Sequence, residues 1–159
     1  MSAVRDADER ELLDRLWRLH SRELLRYGAL LVGPHDCYDV VSSAFLKASR
    51  PLSSASVESP RQYLFRAVTN EAAHHRRATL NRWKRDLRAV AASSGSAAET
   101  DIDVQRAVAD LSVRQRAVVY LAYWEDMTEL AIADYLGLSA GSVRRHLFRA
   151  RAHLRKALE

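Results

Sequence analysis

A single cysteine, three prolines and five glycines are all that this 159-residue chain offers as cross-link or backbone breaker. Cys37 alone cannot close an internal disulfide, so nothing supports a secreted, disulfide-held scaffold, and a reducing compartment suits the chain. No uninterrupted apolar run approaches the roughly 20 residues that a membrane helix needs. The amino terminus, "MSAVRDADERELLDRLW", is acidic and lacks the apolar core of an export signal. No stretch of useful length alternates as a strand would, and no internal repeat is present. These absences predict an all-α fold class, a cytoplasmic location and no membrane segment.

What is present is helical periodicity. In "ELLDRLWRLHSRELLRYGALLV" Leu12, Leu13, Leu16, Trp17, Leu19, Leu24 and Leu25 recur at helical spacing until Gly33-Pro34 stops the pattern. "CYDVVSSAFLKA", Cys37 to Ala48, predicts a second helix burying Val40, Val41, Ala44, Phe45 and Ala48, with Arg50-Pro51 as its end. After a serine-rich loop, Pro60 opens a long helix whose apolar stripe runs through Tyr63, Leu64, Ala67 and Val68. Residues 91–103, beginning "AASSGSAAET", hold almost nothing that anchors a core and read as a flexible linker. The chain is therefore expected as two small helical lobes, residues 1–90 and 104–159, with no further domain after them.

Charge is placed unevenly. Residues 61–88 carry 8 basic and 2 acidic side chains and residues 142–159 carry 6 and 1, whereas residues 99–141 carry 3 and 8. Two basic blocks separated by neutral and acidic stretches suit two faces that meet a polyanion, although a charge run can also be a solvated helix face. The acidic stretch reads as solvated surface. Trp124, in "YWED", reads as a core residue rather than a stacking platform, and Cys37 as a small apolar packing residue.

The carboxyl-terminal block has a frame that aims it. Thr128 can cap a short helix with Glu129 in its first turn, and Gly137 can end that helix in the left-handed conformation. Ser139 or Ser142 can cap the next. Ile132, Ala133, Leu136, Leu138, Val143 and Leu147 fall where a helix-turn-helix places its apolar contacts, with the small Ala133 permitting a close crossing. With Val143 and Leu147 inward, Ser142, Arg144, Arg145, Phe148 and Arg149 face outward, where side chains reach base edges in a major groove. Arg151, Arg155 and Lys156 lie farther along and suit phosphate, or simply a solvated helix end.

On these residues, "LSVRQRAVVYLAYWEDMTELAIADYLGLSAGSVRRHLFRARAHLRKAL" (111–158) resembles region 4 of the extracytoplasmic-function, or group IV, RNA polymerase sigma factors of the sigma-70 family. The resemblance implies a promoter-specificity factor whose second lobe reads the upstream (minus 35) element as duplex through Ser142, Arg144, Arg145, Phe148, Arg149 and Arg151. Its partners would be promoter DNA and core RNA polymerase, and many members of the family are restrained by a dedicated anti-sigma factor.

The other basic block mixes cations with rings and amides, a composition suited to single-stranded nucleic acid, although Tyr63 and Phe65 also fit a core. "SPRQYLFRAVTNEAAHHRR" resembles region 2 of the same family, which implies that Asn70 contacts an extruded base of the downstream (minus 10) element, with Tyr63, His74, Arg76 and Arg77 near the melted strand. "DCYDVVSSAFLKA" departs from the pattern of the helix that docks on polymerase. Asp39, Val41, Ala44 and Phe45 are kept, but Tyr38, Ser42 and Ser43 replace an acid, a glutamine and a glutamate. That change removes hydrogen bonds of roughly 0.5–3 kcal/mol each unless other contacts compensate.

Asp39, Ser42, Ser43 and Phe45 remain the expected polymerase-binding residues. The alternative is a sigma-like DNA-binding regulator with weakened or absent polymerase binding. An enzyme is not expected: "EAAHH" offers only one helical pair, Glu71 and His75, and no zinc-protease spacing, so neither catalytic residues nor a metal or other cofactor is predicted.

Overall fold

The structure is a computed structural model that describes the backbone of residues 2–54, 56–86 and 101–158, and the side chains of 7–54, 56–79 and 106–157. Among the described residues there are seven helices and no strand. The chain divides into two compact units, Met1–Ala72 and Ala73–Glu159, with the boundary inside the third helix. Residues 91–100 of the expected linker lie outside the described residues, and its last three residues form the start of a helix at Asp101.

In the first unit α1 (Ser2–Val32) packs against α2 (Cys37–Ser53). Leu16, Leu24, Tyr27 and Leu31 line the buried side of α1, a spacing of three, four or eight residues that keeps them on one stripe. Val40, Val41, Ala44, Phe45 and Ala48 answer from α2, as the periodicity predicts, and Trp17 meets the Phe45 ring edge-on at 5.1 Å. The helices approach closely at Gly28, where an added Cβ would stand 2.8 Å from Val41 Cγ2. Leu19 departs from the expected stripe and is exposed.

Arg50-Pro51 does not end α2, which runs through the proline to Ser53. Proline removes one N–H from a helix, but Leu52 beyond it is buried. Serine hydroxyls take up carbonyls of the last turns, Ser49 on Leu46 at 2.7 Å and Ser53 on Ser49 at 2.8 Å. Tertiary burial and local capping outweigh the breaker.

α3 (Pro60–Asp86) joins this core through Leu64, Phe65, Val68 and Ala72. Thr69 donates its hydroxyl to the Phe65 carbonyl at 2.8 Å and accepts from the buried Tyr27 hydroxyl at 2.7 Å, so neither polar group is buried unpaired. At the start of α3, Arg61 Nε and Nη2 donate to the Glu23 carboxylate at 2.9–3.1 Å, and His20 Nδ1 lies 2.9 Å from the same group. Burial by itself would raise the Glu23 carboxyl, but the hydrogen bonds and charges of Arg61 and His20 hold it below its ordinary value of 4.5. A carboxyl depressed in the fold stabilises it above the unfolded-state value, and the contribution is lost as pH falls through the folded value. The urea midpoint of the chain is therefore expected to fall less between neutral pH and pH ~3 in Glu23→Gln than in the parent, a window set by the carboxylate range.

The second unit holds α4 (Asp101–Asp110), α5 (Val113–Tyr123), α6 (Glu129–Leu136) and α7 (Ala140–Leu158), with α7 packed on the other three. Ser112 caps α5 in a full capping box with Gln115. The buried Arg116 ties down the end of α4, its Nε on the Leu111 carbonyl at 3.1 Å and its Nη2 on that of Ala109 at 3.0 Å.

Candidate nucleic-acid interface

The aim of α7 is set by three residues before it, Thr128, Gly137 and Ser139. Thr128 Oγ1 accepts from Ala131 N–H at 3.2 Å and starts α6. Gly137, at φ 66° and ψ 39°, ends it, with Leu138 N–H returning to the Ala133 carbonyl at 2.8 Å. A side chain at that φ would cost about 1–2 kcal/mol, which is why glycine stands there. Of the two candidate caps for α7, Ser139 is the one used: its Oγ accepts from Ser142 N–H at 3.1 Å.

With both ends fixed, Val143, Leu147 and Ala150 are buried against the unit and lie on one stripe. Ile132, Ala133 and Leu136 of α6 are buried with them. The opposite side of α7 presents Arg144, Arg145, Phe148, Arg149 and Arg151, all exposed, with Phe148 at 72%. Ser142 is half-buried, its hydroxyl accepting from Ser139 at 2.9 Å. Arg144, Arg145, Phe148 and Arg149 face outward as the sequence predicts, whereas Ser142, expected with them, is partly covered at the helix start.

Several residues of this surface are invisible to sequence reasoning. Arg144 Nε donates to Glu129 Oε2 at 3.2 Å, and Arg151 Nε donates to the Tyr123 hydroxyl at 2.7 Å. His146 is half-buried. That burial, reinforced by the charges of Arg114, Arg145 and Arg149, holds its imidazole below the ordinary 6.5. Each relation joins different helices or opposes like charges, and no spacing along the chain reports it. Trp124 corrects the expectation of a core residue: it is 80% exposed, because α5 ends at Tyr123 and the indole stands on the turn beyond, stacked with Tyr120 at a centroid distance of 6.4 Å.

On α3, Tyr63, Asn70, His74 and Arg77 are spaced by seven, four and three residues and so share one helical stripe. Asn70, His74 and Arg77 are exposed and Tyr63 is half-buried. Arg76 lies off that stripe and donates to the Ala109 carbonyl at 2.8 Å. Phe65 is fully buried, under the Arg61 guanidinium at 4.7 Å.

The four expected docking residues on α2 do not form one exposed patch. Asp39 is exposed. Phe45 belongs to the core, and the Ser42 hydroxyl is buried with no hydrogen-bond partner. Ser43 donates to Glu71 Oε1 at 2.9 Å while Lys47 pairs with Oε2 at 2.6 Å. Glu71 is thereby committed to α2 rather than to a metal, and no cluster of metal-binding side chains occurs among the described residues. Cys37 is half-buried, its thiol 3.3 Å from the Pro34 carbonyl. No helix among the described residues is long and apolar enough to cross a membrane.

Comparison with known proteins identifies the family. The family described as "Sigma-70, region 4" matches residues 101–154, which span the described C-terminal helices from the start of α4 into α7. The chain is 34% identical to the ECF RNA polymerase sigma factor SigM of Mycobacterium tuberculosis, over 98% of this chain and 82% of that one. It is 49% identical over 49 residues to the RNA polymerase sigma-E factor of Streptomyces avermitilis, 31% of this chain and 27% of the other. In fold it resembles the sigma factor RpoE from Bartonella quintana, solved in complex with the anti-sigma factor NepR, at a TM-score of 0.66 and 21% identity over 91% of this chain and 95% of that one. The chain therefore belongs to the extracytoplasmic-function RNA polymerase sigma factors, promoter-recognising transcription factors and not enzymes.

Proposed function

We propose that α7 reads the upstream (minus 35) promoter element as duplex, with Arg144, Arg145 and Arg149 at base edges, Phe148 against a thymine methyl, and Ser142 and Arg151 on the backbone. The observation that carries this reading is the burial of Val143 and Leu147, which leaves the arginines nowhere to face but outward. The α3 stripe of Tyr63, Asn70, His74 and Arg77 takes the melted minus 10 strand. Extruding a base costs a few kcal/mol of stacking and pairing, which an exposed amide and a neighbouring ring can return. Arg76 joins them only by exchanging its bond to Ala109.

On α2 the exposed Asp39 meets polymerase directly, while Phe45, Ser42 and Ser43 act through the packing of the helix. Residues 1–90 thus serve as the region 2 lobe, 91–103 as the tether and 104–159 as the region 4 lobe. The factor works in the cytoplasm, where its template lies, and an anti-sigma factor is its natural restraint.

Mixing the full chain with purified core polymerase and a promoter library tests the reading. A stable complex that initiates from a defined two-element promoter is expected. A chain that shifts promoter DNA alone but neither joins polymerase nor starts transcription refutes it.

A further inference from the structure

Two arginines of α7 differ from their neighbours in how they are held. Arg144 is tied through Nε to Glu129, the first residue of α6, and Arg151 through Nε to Tyr123, the last residue of α5, whose ring lies 5.6 Å from the guanidinium carbon. Both stay exposed. Seven residues separate them, so they stand on nearly the same face of α7, about 10 Å apart along its axis. Arg145 and Arg149 have no hydrogen-bond or carboxylate partner among the described residues.

A guanidinium carries five N–H donors in one fixed plane. Engaging Nε–H sets the roll of that plane and leaves the two terminal nitrogens, the fork that matches guanine O6 and N7, free to bond elsewhere. The two anchors also differ in charge. The Glu129 carboxylate offsets much of the attraction of Arg144 for phosphate and repels a phosphate placed beside it, so Arg144 is steered toward base edges. The Tyr123 phenol is neutral and leaves Arg151 its full charge, which suits a phosphate oxygen.

We propose that Glu129 and Tyr123 are positioning residues that fix these two arginines before DNA arrives, making Arg144 a reader of sequence and Arg151 a backbone grip. The proposal rests on the duplex reading of α7 given above. Holding a rotamer-rich side chain in its bound pose changes affinity by about two- to tenfold per side chain.

The test uses the full chain bound to core polymerase and a promoter library randomised over the upstream element, with preference read by sequencing the initiating templates. Arg144→Ala is expected to relax preference at one or two base pairs. Glu129→Ala should relax the same base pairs and lower use of the preferred sequence two- to tenfold. Glu129→Gln, which keeps an acceptor oxygen in place, should recover part of that preference. Tyr123→Phe should lower use of all sequences alike, as should Arg151→Ala.

Thr128 still caps α6 in the Glu129 variants, and their helicity by circular dichroism should match the parent. Preference retained in Glu129→Ala where Arg144→Ala loses it overturns the proposal, as does a uniform gain in use, which would make Glu129 only a repulsive charge. If Arg144→Ala leaves preference unchanged, or the parent selects no sequence, the duplex reading itself falls and the proposal with it.

Discussion

Leu147→Ala is expected to destabilise the C-terminal unit by about 2–5 kcal/mol, while Phe148→Ala, one residue on, changes stability by no more than about 0.5 kcal/mol. Leu147 is 2% exposed and sits between Val143 and Ala150, both fully buried, on the side of α7 that meets α4, α5 and α6. Removing its side chain takes apolar surface from the core and leaves a cavity that helices pinned at Gly137 and Ser139 cannot collapse around. Phe148 is 72% exposed and loses only solvent contact. Amide exchange of α5 and α7 at equilibrium reads the difference directly. The contrast between adjacent residues is the point, because a helix rotated by half a turn would reverse the order.

Local chemistry made much of this region legible before any coordinates. A capping threonine, a glycine at the left-handed position and apolar residues four apart each act within a turn or two, and Thr128, Gly137, Val143 and Leu147 do what their types and spacing predict. Most of the failures arise where tertiary contacts outrank local rules, and one where a helix ends. Pro51 reads as a stop, yet the burial of Leu52 carries α2 past it. Trp124 reads as core rather than as a stacking platform, yet the end of α5 leaves it exposed on a turn. The anchors of Arg144 and Arg76 span 15 and 33 residues, and no periodicity reports such pairs.

The docking helix falls between the two cases. Its departures at Ser42 and Ser43 are plain in the sequence, but that Ser43 instead engages Glu71 on α3 emerges only from the packing. Asn70 and its neighbours were expected from the resemblance of "SPRQYLFRAVTNEAAHHRR" to region 2, whereas the tie of Arg76 to the Ala109 carbonyl, off their stripe, was not legible.

Reversing charge at Arg144 and Arg149 together is expected to abolish use of the upstream element. Both side chains are exposed, so the substitutions leave the buried stripe of α7 untouched and the unit should remain folded. Each arginine that pairs bidentately with a base contributes about 1–3 kcal/mol of discrimination. Two glutamates in their place add repulsion from a polyanion to the lost contacts.

Initiation by the full chain with core polymerase, on a promoter carrying its preferred upstream element, tests the orientation of α7 most directly. The double variant Arg144→Glu/Arg149→Glu should fall on the order of 100-fold or more, from two lost base contacts, while still binding polymerase and melting at the parent's temperature. Undiminished initiation from the same promoter by the folded double variant would contradict the account.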